Sequence, residues 1–321
     1  MSATRVLTQM RSIVEAGGGV VREQEPMSRH TTFGVGGPAD VYARVHDREA
    51  LRRAAQVAAD AGLARFILGS GSNILVGDGG IRGIVIENKA NAVDEPEAAG
   101  GQVRLRAEAG ASFARLARST ARAGLHGLEW AAGIPGTLGG AVVYNAGAYG
   151  GCLADVLVSI DTFEPRGAAA RLDAADLGLA YRSSAFTRGR LGDRVITDLD
   201  FALEAGDADA ALARIATLEE RRKRSAPRGR NAGSVFKNPP ADAAGGRPAW
   251  WLIDQVGLRG HRIGDAQISE KHTNYFLNTG AARAADVAAL MDLARRRVHE
   301  QFGVELQREV TLVGDHEGGV A

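Results

Sequence analysis

Glycine is unevenly spread along this chain of 321 residues. Its 42 glycines gather in clusters at 34–37, 69–71, 77–83, 133–140 and 147–151. Clustered glycine marks main chain that takes positive φ or comes close to another group. Two readings follow: tight turns in a sheet protein, or a large ligand lying on main chain. Several such clusters in one half of the chain favour the ligand.

The rest of the composition bounds the class. Hydrophobic residues make up 45% and charged residues 24%, as in soluble globular proteins. That argues against disorder, and the length is ample for a sizeable core. At roughly 150 residues per domain the chain holds about two. It has no apolar run of about eighteen residues, so no spanning helix is expected. The first residues, MSATRVLTQMRSIVEAGGG, lack the apolar stretch of a secretory signal. Lys and Arg number 39 against 38 Asp and Glu. This balance excludes a globally polyanion-binding protein and leaves room for a local basic patch. Cys152 is the sole cysteine, which excludes a disulfide framework and a zinc site built from several thiolates. It fits a reducing cytoplasm. Between Gly151 and Leu153, with no His or Lys nearby, it reads as a small buried side chain rather than a reactive thiol.

Periodicity outlines an α+β chain. Residues 1–25 read as an amphipathic helix and a linker. Val41–Val45, Phe66–Leu68, Ile74–Val76, Ile84–Ile86 and Val103–Ala107 read as strands. Residues 47–61 read as a helix capped by Asp47, with Leu51, Ala54, Ala55 and Ala58 on one face, and Ser112 begins another reaching Ala123. A charged helix is expected at about 208–224, a loop at 239–248, a helix from Trp250 to Val256, and a long helix over Asp286–Phe302. Val304–Val313 alternates like a strand. The polar stretch 205–209 sets a domain boundary near 206, giving domains 1–206 and 207–321.

Five segments carry chemistry. ILGSGSNILV (67–76) resembles a phosphate cradle, in which small residues free N–H groups to converge on an anion. It lacks both the Walker Gly-Lys-Ser/Thr and the full GxGxxG spacing. In residues 127–151, Gly133, Gly136, Gly139 and Gly140 surround Pro135, so main chain can lie flat against a planar ligand or a diphosphate. Thr137 and Asn145 add hydrogen-bonding groups there. Arg182, in Tyr181-Arg182-Ser183-Ser184, offers a guanidinium suited to a carboxylate or enolate, or is a surface turn residue. Ser234, in GSVFKNP (233–239), is a turn serine or a rigidly held proton donor. Glu309 lies among apolar residues near Val310, where a carboxyl pairs with a cation or holds its proton.

Taken together, these segments resemble one family. HTTFGVGGPAD (30–40), GSGSNILV (69–76), GLEWAAGIPGTLGGAVVYNAGAYG (127–150), YRSSAF (181–186), AGSVFKNP (232–239), residues 251–280 and GVELQREVTLVG (303–314) occur in the order seen in UDP-N-acetylenolpyruvoylglucosamine reductases of peptidoglycan synthesis. The resemblance runs from about 28 to 314 and is to the family's second type, which lacks an extra tyrosine-bearing loop. It implies a two-lobed FAD-binding region of the vanillyl-alcohol-oxidase (PCMH) type and a smaller α+β substrate-binding domain. It also implies a cytoplasmic enzyme in which NADPH reduces a non-covalently bound FAD. Hydride then passes from flavin N5 to C3 of the enolpyruvyl ether, and C2 is protonated. Ser234 corresponds to the family's proton donor, Arg182 to its catalytic arginine and Glu309 to its C-terminal glutamate. Expected FAD neighbours are Gly69, Ser70, Gly71, Ser72, Asn73, Gly133, Ile134, Pro135, Gly136, Thr137, Gly139, Gly140 and Asn145. Lys237, Asn238, Lys271 and His272 are candidates for the nucleotide sugar. No metal site, nucleic acid or membrane partner is expected.

Two features depart from the family pattern: the longer loop at 240–248, and His261 where an aromatic residue is expected. The basic run 221–224 is either a solvated helix end or an attractor of a nucleotide diphosphate. Competing readings are a sugar or alcohol oxidase on the same fold and a catalytically silent nucleotide-sugar sensor. The oxidase does not explain GSVFKNP and YRSS together.

Overall fold

The computed structural model describes residues 3–316. The expected domain limits at 1 and 321 lie outside the described residues. The chain divides into two compact units that interleave in sequence. Of the described residues, the first holds 3–22, 41–69 and 83–222, and the second holds 23–40, 70–82 and 223–316. This differs from the single division expected near 206. The glycine segments at 34–37 and 70–80 fold with residues beyond 223, because they and their neighbours are hydrogen-bonded there. Asn278 Nδ2 donates to the Phe33 carbonyl at 3.0 Å, and Asp78 accepts from the N–H of Ala284 at 2.8 Å.

In the first unit Arg65–Leu68 pairs in parallel with Ile84–Glu87. The helix Arg48–Asp60 starts where Asp47 accepts from the N–H of Ala50 at 2.7 Å, as its sequence predicts. It buries Leu51, Ala54, Ala55 and Ala58 with Met10 and Val14 of the helix Ala3–Ala16. A larger antiparallel sheet follows, in the order Ala169–Asp173, Leu157–Phe163, Val195–Ala205, Gln102–Glu108 and Glu97–Ala99. Ser112 caps the helix Phe113–Arg122, whose Phe113 meets Trp130 edge-on at 5.3 Å. Leu105, Ile160, Leu199 and Phe201 complete this core. Burying each such side chain is worth about 1.5–3 kcal/mol.

In the second unit the helix Ala284–Phe302 packs Val287, Leu290, Met291, Ala294 and Val298 into a core with Leu252, Phe236 and Phe276. The strands Arg262–Ile263, Ala266–Ile268 and Phe276–Asn278 form an antiparallel sheet. Ile74–Val76 pairs in parallel with Thr311–Val313. Two expectations are corrected. The strand foreseen over 304–313 is confined to Thr311–Val313. The residues before it bond instead to the irregular segment 235–237, where Lys237 N–H donates to the Gln307 carbonyl. The loop at 239–248 contains a short helix, Ala241–Ala244, ended by Gly245 at φ +56°. Among the described residues no helix is long and apolar enough to cross a membrane.

Candidate active site

Ser234 and Glu309 are brought together by main-chain pairing within the second unit. The carbonyl of Val235, the residue after Ser234, accepts from the N–H of Glu309 at 2.8 Å and of Val310 at 3.3 Å. Asn73 Nδ2 donates to the Glu309 carbonyl at 3.1 Å, and the Asn73 carbonyl accepts from Thr311 at 3.1 Å. The GSGSN segment therefore lies beside Glu309 because Ile74–Val76 is the partner strand of Thr311–Val313. On its other side the Ser234 segment is held by Asn274 and Tyr275. Asn274 is 3% exposed. Its carbonyl accepts from Val235, while its side chain accepts from the Phe236 N–H and donates to the Phe236 carbonyl. Ser234 and Glu309 are both half-buried. Sequence reasoning missed Asn274. Its signal was a lone amide between Thr273 and two aromatic residues, since a buried amide must find partners.

Arg182 sits in the first unit at the tip of a two-residue reversal. Ala180 and Ser183 exchange N–H···O=C bonds of 3.0 and 3.1 Å, leaving Tyr181 and Arg182 as the loop. Arg182 has φ +50°, a left-handed conformation that a non-glycine residue holds only with help from its surroundings. Its guanidinium donates to the Gly147 carbonyl at 2.7 Å and lies 5.4 Å from the Tyr181 ring centre. The same loop is tied down by Ser184, whose hydroxyl donates to the Val143 carbonyl at 2.6 Å.

The proposed cofactor positions divide by what the structure uses them for. A Cβ on Gly71 (φ +62°) would stand 2.0 Å from the His30 carbonyl oxygen, and one on Gly69 2.4 Å from Thr137 Oγ1. Packing within the protein alone therefore demands these two glycines. Gly139 and Gly133 are looser, against Ala109 and the flexible Arg222 side chain, and Gly140 meets only Thr137 Oγ1 at 3.6 Å. Thr137 caps the helix Leu138–Val143, Ile134 packs on the core and Pro135 is exposed. The hydroxyls of Ser70 and Ser72 are 3.2 Å apart. Asn145 spends both halves of its amide on protein, at Ala180 and Ala154. Among the described residues, the main-chain N–H groups of Gly133 and Gly136 in the first unit donate to no protein acceptor, and neither do those of Ser70 and Gly71 in the second. Such donors, in segments poor in side chains, suit the diphosphate of a dinucleotide. The residues present fit FAD.

The four nucleotide-sugar candidates all lie in the second unit. Lys271 is engaged already: its ammonium donates to the carbonyls of Lys223 and Ala226 at 2.8 and 3.0 Å. Asn238 accepts from the N–H of Ala249 at the start of the helix Ala249–Gln255. Lys237 has its main chain fixed by Gln307. His272 packs edge-on to Tyr275 at 4.9 Å and leaves Nδ1 buried without a partner. Burial is the main cause holding its pKa below the ordinary histidine value, with the charge of Arg259 adding to it. Cys152 is half-buried, and burial together with the Asp155 carboxylate raises its pKa, in keeping with an unreactive thiol.

Comparison with known proteins identifies the family. Residues 39–173 match the family described as FAD binding domain, and residues 224–313 match the C-terminal domain of UDP-N-acetylenolpyruvoylglucosamine reductase. The chain is 42% identical over 311 residues to UDP-N-acetylenolpyruvoylglucosamine reductase 2 of Symbiobacterium thermophilum, covering 95% of this chain and 96% of that one. The chain belongs to the UDP-N-acetylenolpyruvoylglucosamine reductase family. A second reductase, from Desulforamulus reducens, is 40% identical, with 98% of this chain and 100% of that one covered. The crystal structure of the Thermus caldophilus reductase aligns with a TM-score of 0.76 at 36% identity, over 92% of this chain and all of that one. The expected order, an FAD-binding domain followed by a reductase C-terminal domain, is therefore that of this reductase family member.

Proposed function

We propose that this protein reduces UDP-N-acetylenolpyruvoylglucosamine to UDP-N-acetylmuramate with electrons from NADPH, as a step of peptidoglycan precursor synthesis. It is an FAD-dependent oxidoreductase, a UDP-N-acetylmuramate dehydrogenase. Bound FAD supplies the hydride that reaches C3 of the enolpyruvyl ether. Each unit has main-chain donors suited to a phosphate of such a group: Gly133 and Gly136 in the first, Ser70 and Gly71 in the second.

The remaining work falls to side chains. Hydride arrival at C3 drives charge onto C2 and the adjoining carboxylate as an enolate. Arg182 stabilises that charge with its fixed guanidinium donors, and Glu309, carrying its proton, donates a further hydrogen bond. Ser234 gives its hydroxyl proton to C2 and recovers one from solvent. A hydroxyl is a weak acid, so this transfer needs a site from which water is excluded and in which the donor cannot swing away. Lys237, Asn238, Lys271 and His272 are assigned to the nucleotide sugar. The nucleotide substrates and the single cysteine suit a cytoplasmic enzyme.

The observation that carries this reading is the main-chain bond from Glu309 to Val235, which fixes the glutamate beside the serine-bearing segment. The experiment is anaerobic reduction of the purified yellow protein by NADPH, followed by addition of the enolpyruvyl substrate. Bleaching and then recovery of the flavin spectrum, with UDP-N-acetylmuramate as product, supports the reading. Recovery with oxygen and not with that substrate would indicate an oxidase. A colourless protein that takes up no FAD would rule out both.

A further inference from the structure

Asn145 ends the helix Leu138–Val143 in a way that has two explanations. It follows the cap residue Tyr144 and has φ +42°. A left-handed residue just past a helix end is common, and asparagine is one of the few non-glycine residues that accept it. This accounts for the backbone and leaves the side chain unexplained. The residue is 5% exposed, and both ends of its amide are engaged. Its Nδ2 donates to the Ala180 carbonyl at 3.0 Å, and its Oδ1 accepts from the Ala154 N–H at 3.1 Å.

Ala180 is one end of the reversal that carries Arg182. Its carbonyl takes both the Ser183 N–H and the Asn145 amide. The guanidinium of Arg182 returns to the Gly147 carbonyl, two residues beyond Asn145, and Ser184 returns to Val143, two residues before it. Residues 143–147 thus grip the arginine loop at its base, on its far flank and at the tip of its side chain. The geometry points to Asn145 as a positioning residue for Arg182: its amide fixes the loop whose left-handed arginine must present its donors to developing negative charge. This rests on the catalytic reading of Arg182 proposed above. An arginine carries high rotamer entropy, and a misplacement of about 1 Å in such a group costs up to about a hundredfold in rate. The second bond, to Ala154, keeps the amide from rotating, so the donating half faces Ala180.

The test separates cap from clamp. Asn145→Gly keeps the left-handed backbone and the helix end, and removes both side-chain bonds. Asn145→Asp keeps the acceptor for Ala154 and loses the donor to Ala180. Both are studied as holoenzymes, beside Arg182→Ala and the double variant Asn145→Gly/Arg182→Ala. The expected result has four parts. Flavin reduction by NADPH falls less than the substrate half-reaction does in every variant. Oxidation of the reduced enzyme by the enolpyruvyl substrate slows about ten- to a hundredfold in both Asn145 variants. It slows further in Arg182→Ala, and adding Asn145→Gly to that variant changes nothing more, because residues acting through one group are not additive. Amide exchange at Ser183, whose N–H closes the reversal, quickens in Asn145→Gly. An unchanged substrate half-reaction in Asn145→Gly overturns the inference, as does its full effect persisting in the double variant. If Arg182→Ala itself reacts at the parent rate, the catalytic reading of Arg182 fails and takes this inference with it.

Discussion

The side chain of Asn274 closes both hydrogen-bonding groups of Phe236, accepting from its N–H at 2.9 Å and donating to its carbonyl at 2.8 Å. It acts there as a strand partner would, beside a segment too irregular to belong to a sheet. Asn274→Ala leaves both main-chain groups buried and unpaired. The expected loss is about 2–4 kcal/mol, from two unmet hydrogen bonds in a closed site. Urea unfolding of the holoprotein measures it, and a loss below about 0.5 kcal/mol contradicts the role.

Ser234→Ala removes the proposed proton donor without altering the main-chain pairing around it. Stopped-flow absorbance should show flavin reduction by NADPH nearly unchanged. The substrate half-reaction should slow by about two to four powers of ten, the usual worth of a positioned acid. Equal slowing of both steps would remove Ser234 from that role.

Lys271 has two claims upon it, the nucleotide sugar and the carbonyls of Lys223 and Ala226. Lys271→Met decides between them. If the carbonyls are its main partners, the variant loses about 1–2 kcal/mol of stability, as expected for charge-assisted bonds at a partly exposed site. Its KM for the enolpyruvyl substrate then stays within about twofold. A KM raised about tenfold or more, with stability intact, gives the residue to the substrate instead.

His272 makes the fold sensitive to acid. Its pKa in the folded protein is held down mainly by burial, so the unfolded chain binds the proton more readily. Its stabilising contribution is complete above the unfolded value of about 6.5, and is lost as pH falls toward the depressed folded value. His272→Gln should therefore lose less stability than the parent between about pH 7.5 and about pH 5.5. Parallel denaturant curves at the two pH values measure the difference; identical pH slopes count against it.

Asp78 supplies a remote cap to the helix Ala284–Phe302, its two carboxylate oxygens accepting from the N–H groups of Ala284 and Ala285 at 2.8 and 2.9 Å. Asp78→Ala should cost about 1–2 kcal/mol, and Asp78→Asn less, since the amide oxygen still accepts one bond. Thermal unfolding of the two variants in parallel tests the order.

Local signals in the sequence were reliable where the chain satisfies itself. Asp47 and Ser112 cap the helices their positions foretold, and the apolar face of Arg48–Asp60 is the one its periodicity gives. The catalytic candidates were legible as motifs, while the reasons for their placement were not. Nothing near Glu309 in sequence announces that its N–H will meet Val235, or that Asn73 will hold its carbonyl. The glycines carry two meanings at once. Gly69 and Gly71 look like ligand contacts, yet the Thr137 side chain and the His30 carbonyl already forbid a methyl group there. A short sequence motif records that space is scarce and does not say what fills it. The interleaved units were hidden for the same reason: periodicity reports what one element does and is silent on which distant segment completes its core.

The pairing of Ile74–Val76 with Thr311–Val313 has a consequence for biogenesis. Asn73 and the glutamate it holds are 236 positions apart. During vectorial synthesis the early segment leaves the ribosome long before its partner strand exists, and it must wait with one edge bare. Final assembly of this loop is therefore a late event, and a nascent chain arrested ahead of residue 311 would carry the serine motif without the scaffold that aligns it.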